Sequence, residues 1–137
     1  MTQVIIYTND NGNVSICSPT GELPIEEVLA KDCPAHAEIV DASVLPQGED
    51  DFFNAWRLSN GIISVDVEAA KAIQLAQINR AAKLEAQHRA TNTAIGLGNV
   101  LSDADFIALL DGKRAAVAAA TTTAEIRAVR YDDIQTA

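Results

Sequence analysis

Cys33-Pro34-Ala35-His36 places a thiol and an imidazole three residues apart, and Cys17 and His88 supply two further donors elsewhere in the chain. Four such groups can close a tetrahedral zinc site, but structural zinc sites bring their ligands as two tight pairs, and here there is one pair. The same residues invite a Cys-His nucleophile. An attacking cysteine must ionise, and Asp32 beside Cys33 sets a negative charge against the thiolate. Glu26-Glu27 and Asp50-Asp51 are carboxylate pairs, yet neighbours in sequence lack the contrasting environments that separate an acid from a base. Gly96-Leu97-Gly98 lacks the third glycine and the preceding strand of a dinucleotide loop. The sequence therefore predicts no catalytic residue, no metal ligand and no cofactor, and a protein that is not an enzyme. The cysteines are expected to act as small hydrophobes and the histidines to lie on the surface.

The elements that would position these groups divide into two unlike halves. Residues 1–65 hold 10 acidic and 2 basic side chains, net -8, whereas residues 66–137 hold 9 and 8, net -1, which together give the formal charge of -9. Neither half offers the basic stripe that a phosphate backbone requires, so direct nucleic-acid binding is not expected. An acidic unit joined to nearly neutral helices suits contacts with other proteins. No run approaches the ~18 apolar residues of a membrane span. The N-terminus also lacks the charged segment and apolar core of a secretion signal, so reduced cysteines in a cytoplasmic setting are expected rather than a Cys17–Cys33 bridge.

The fold class read from the pattern is α+β: a small antiparallel β-rich domain over 1–65 with one short helix, then an Ala-rich helical region over 66–137 with two or three helices. Apolar runs at 4–7 and 14–17 flank Asn11-Gly12 as a hairpin, and 37–41 is a further strand. A proline early, acids next and Lys31 late mark a short helix over 24–31. Residues 48–51 read as a solvated acidic loop. A second hairpin, 52–58 with 62–65, turns at Asn60-Gly61 and carries Trp56, expected to be buried.

From Asp66 to about Thr93 there is neither glycine nor proline, and a long helix is predicted. Its larger apolar residues are interleaved with alanines, which let another helix approach closely. The expected partner-binding face is Ala69, Ala76, Ile78, Ala82 and Leu84, facing a second copy of the chain or another protein. Lys71, Arg80, Lys83 and Arg89 are read as the solvated side. Ser102 caps a second helix with a bend at Gly112, and Thr122-Thr123-Ala124-Glu125 opens a last short one before a frayed tail at Tyr131-Asp132-Asp133.

Val4-Ile5-Ile6-Tyr7 with Asn11-Gly12, Ile25-Glu26-Glu27-Val28, Lys31-Asp32-Cys33-Pro34, Ile39-Val40-Asp41-Ala42-Ser43 and Phe53-Asn54-Ala55-Trp56 form a set that resembles small acidic proteins of tailed bacteriophages and prophages. The similarity extends through Val65-Asp66-Val67 and Ala120-Thr121-Thr122-Thr123-Ala124-Glu125-Ile126, and so over most of the chain. Many such proteins are encoded among tail or tail-fibre genes. The resemblance implies a structural or tail-associated virion protein, with other virion proteins as partners, located in the virion or in the host cytoplasm during assembly. It implies no catalytic residue. A transient assembly chaperone, or an acidic anti-defence inhibitor of a host nucleic-acid-binding complex, are the alternatives. Residues 45–51 carry no basic residue, where the pattern has one before the aromatic motif.

Overall fold

Residue type and alternation build the first sheet around a central strand. The computed structural model describes residues 2–134, and in it β1 (Gln3–Thr8) pairs antiparallel with both β2 (Val14–Cys17) and β3 (Glu38–Asp41). The β1–β2 loop is fixed by Asn9, whose Oδ1 accepts from the backbone N–H groups of Asn11 and Asn13, and by Gly12 at φ 80°. Side chains alternate across a strand, so Val4 and Ile6 point one way and Ile5 the other. Both faces are covered: Val4 and Ile6 join Val14, Trp56 and Ile63 in one buried cluster, while Ile5, also buried, faces the side on which α1 (Ile25–Asp32) packs against β1 and β3.

The second sheet is the hairpin β4 (Trp56–Ser59) and β5 (Ile62–Val65), turned by Asn60 and Gly61, both at positive φ. The segment before it corrects the sequence expectation of a strand beginning at residue 52. Asp50–Ala55 is a pair of 3₁₀ turns, not strand. β5 is only long enough to pair with residues 56–59, so the preceding backbone closes its hydrogen bonds locally, as Phe52 N–H does on the Glu49 carbonyl at 3.0 Å. The coil also tucks Phe52 and Ala55 inside. Trp56 is 2% exposed, its Nε1 donates to the Glu49 carbonyl at 3.1 Å, and Phe53 lies against its ring at 4.9 Å. A further 3₁₀ turn, Ala42–Val44, follows β3 and is capped by the Asp41 carboxylate on Ser43 N–H.

Chain contacts divide the protein into two units, 1–66 and 67–137. The second consists of α2 (Val67–Ala94), α3 (Asp103–Ala119) and α4 (Thr123–Ala128). The fold is thus α+β, with N-terminal antiparallel sheets and C-terminal helices. Ser102 caps α3 by accepting from Asp105 N–H, and Thr122 caps α4 by accepting from Glu125 N–H. α3 runs unbroken through Gly112.

Helices α2 and α3 are antiparallel, since Lys71 Nζ reaches the Ala118 carbonyl, Arg114 reaches Asn79 Oδ1, and Arg89 reaches Asp103. Between them lies a cluster of Ile78, Ala81, Ala82, Phe106, Leu110 and Val117. Ile134 completes it, so residues 131–134 are not the frayed tail that their polarity suggests. Lys113 holds this segment by donating to the Arg130 carbonyl and pairing with Asp133.

Trp56→Ala should destabilise the first unit by about 3–5 kcal/mol, the range for deleting a large core aromatic. Urea unfolding followed by circular dichroism measures it. Native fluorescence of the unsubstituted protein should be blue-shifted, and an emission maximum typical of exposed tryptophan would contradict this burial.

Candidate functional site

The chemistry-bearing residues are spread over both units. Cys17 ends β2, Cys33 follows α1 and His36 sits before β3, whereas His88 lies in α2. His36 Nε2 contacts the Thr8 carbonyl at 3.0 Å, with its ring edge-on to Tyr7. His88 Nδ1 lies 3.5 Å from the buried Glu85 carboxylate. Among the described residues no three His, Cys, Asp or Glu side chains gather closely enough to hold a metal ion. Burial first, then the adjacent Cys17 and Asp32, push the Cys33 thiol above its ordinary pKa, so its thiolate is scarcer than that of an ordinary cysteine.

The five residues of the expected partner face separate once the helices pack. Ile78 and Ala82 are buried in the seam between α2 and α3, and Ala69 is half-buried. Ala76 and Leu84 are exposed. Alanine at 81 and 82 does allow close helix approach, but the helix that uses it is α3 of the same chain.

Arg89 corrects the reading of α2's basic residues as one solvated side. It is 5% exposed, its Nη2 donates to the Leu101 carbonyl at 2.6 Å and to Asp103 Oδ1 at 2.8 Å, and its guanidinium lies 4.8 Å from the centre of the Phe106 ring. Lys71 is half-buried as well, while Arg80 and Lys83 are exposed. The signal for Arg89 was its spacing: 78, 82, 85 and 89 step by four, three and four along one helix face. Gln74, one turn earlier on the same face, is buried and donates to the Val129 carbonyl at 2.7 Å.

By clamping Leu101 and Asp103, Arg89 fixes the connection between α2 and α3. That connection carries apolar side chains into solvent. Ile95, Leu97 and Val100 are all exposed, Val100 at 84%, and Ile107 on the first turns of α3 is exposed too. Beside them a shallow groove of about 320 Å³ runs between the helices, lined by Ala86, Arg89, Ala90, Thr93, Phe106 and Ile107. This end of the helical unit presents apolar surface next to a hydrogen-bonded support, with the Asp103 carboxylate also lining the groove, an arrangement suited to contact.

Comparison with protein-family models, with curated proteins and with solved structures gave no match. No helix among the described residues is long and apolar enough to cross a membrane.

Three outcomes are expected. Ala82→Arg should cost the helical unit at least about 2 kcal/mol by overpacking and burying charge, whereas Ala76→Arg should stay within about 0.5 kcal/mol; thermal melts of the two variants check the contrast. Arg89→Ala should cost about 1–3 kcal/mol through its lost charge-assisted bonds, with faster amide exchange over residues 95–103 as the local readout. Chelator should leave the melting temperature unchanged, and elemental analysis finding one metal per chain, lost together with structure, would show a ligand set that the spacing does not support.

Proposed function

We propose that the protein is a non-enzymatic, structural or tail-associated component of a tailed-phage particle, acting through protein–protein contacts made by the end of its helical unit. The observation that carries this reading is the concentration of exposed Ile95, Leu97, Val100 and Ile107 at one end of a helix pair whose own core is already closed. Single exposed apolar residues are ordinary on a protein surface, but a cluster of large ones on a fixed support is the composition of an interface centre. The resemblance of the sequence to small acidic tailed-phage proteins supplies the setting: the partner is another virion protein or a second copy. The strongly acidic first unit suits a role in solubility and in steering toward basic surfaces.

Mass spectrometry of purified particles tests the assignment. The protein should be present in fixed proportion to the tail proteins, and Val100→Asp should lower its incorporation at least tenfold, equivalent to about 1.4 kcal/mol of contact energy, while its circular dichroism is unchanged. Absence from mature particles together with binding to a tail precursor would instead mark an assembly chaperone. Finding neither incorporation nor precursor binding would refute the reading.

A further inference from the structure

The register of the first sheet sets Cys17 on the face against which α1 packs, and Cys33 stands at the end of that helix. Ile5 stands opposite Cys17 on one side and Ile39 on the other, so these three side chains share the face that α1 covers. Cys33 is the residue that ends α1, in extended backbone. Cys17 shares one cleft with Val28 and Asp32 of α1, which sets Cys33, the residue after Asp32, beside it, and both cysteines are free and partly exposed. A cleft of about 280 Å³, lined by Cys17, Ser18, Pro19, Thr20, Leu23 and Val28, gives a small molecule access to Cys17.

We propose that Cys17 and Cys33 form a reversible thiol–disulfide site, oxidised by low-molecular-weight disulfides to a bridge that ties the end of β2 to the end of α1. The reaction is exchange. The Cys17 thiolate attacks one sulfur of the oxidant RSSR, an S–S bond forms between Cys17 and R, and the first RS⁻ leaves. Cys33 then gives up its proton, its thiolate attacks the Cys17 sulfur, and the second RS⁻ is expelled. Two protein thiols are oxidised by two electrons, RSSR is reduced to two RSH, and the two protons lost by the cysteines end on them. Because burial and the neighbouring Asp32 still hold the Cys33 proton tightly once Cys17 is a mixed disulfide, the second step speeds up as pH rises. Glu22 and Asp32 also line the cleft, which favours an uncharged oxidant over an anionic one.

The test uses 2-hydroxyethyl disulfide on the full-length native protein at pH 8, with peptide mapping under non-reducing conditions. The expected product is a peptide pair linked through Cys17 and Cys33 within one chain, formed at least tenfold faster in native buffer than in denaturing urea and reversed by a phosphine. Cys17→Ser and Cys33→Ser should each stop at a mixed disulfide on the remaining thiol. Persistent mixed disulfides on both cysteines of the native protein would overturn the proposal. So would bridging no faster than in urea, or bridges only between chains.

Discussion

The contact on which the helical unit depends is the close approach of α2 and α3 across Ala81 and Ala82. Small side chains there bring Ile78 against Phe106, Leu110 and Val117, and a chain with 4% aromatic residues has few other ways to bury enough apolar area. Closing this seam within the chain has a consequence for recognition. Ala81 and Ala82 are taken up by the seam, and of the large apolar groups of the helical unit that stay exposed, Ile95, Leu97, Val100 and Ile107 lie at the end of the pair, with Leu84 and Tyr131 elsewhere.

Arg89 links that seam to that end. A buried guanidinium loses hydration that partners must replace; here the Leu101 carbonyl and the Asp103 carboxylate accept from Nη2 and the face of Phe106 lies against the group, while Nη1 is buried with no hydrogen-bond partner among the described residues. The Asp103 side chain is 87% exposed, so the pair keeps one member in water and avoids the full cost of burying two charges. One side chain therefore ties the α2–α3 seam to the connection that presents Leu97 and Val100.

Much of this was legible in the sequence where the determinants are local. Asn60-Gly61 dictates its turn, Ser102 and Thr122 cap the helices they precede, and the loss of glycine and proline after Asp66 marks α2. Glu125 reaches the backbone N–H of Thr121 rather than that of the cap residue Thr122, a variation on the capping box that spacing does not distinguish. What was not legible depends on partners far along the chain. Phe52–Ala55 has strand-like composition, but β5 ends before it can pair with it. Arg89 has surface-like composition, but its place on the Ile78–Ala82 face decides its burial. Polar Gln74, Glu85 and Arg89 interrupt the stripe that would otherwise have identified the inward side of α2, and so Ile78 and Ala82 looked available to an outside partner. Ile134 shows the same effect, since its burial follows from a fold-back held by Lys113 and not from the polar residues around it.

The proposed contact is made by the end of the helix pair rather than by the alanine face of α2. Site-specific photocrosslinking during particle assembly tests this most directly, with a photoreactive residue placed either at Val100 or at Ala76, both exposed. Crosslinks from position 100 to a virion protein or to a second copy, with none from position 76, are predicted. Crosslinks from position 76 alone would show that the long helix itself makes the contact and would contradict the account.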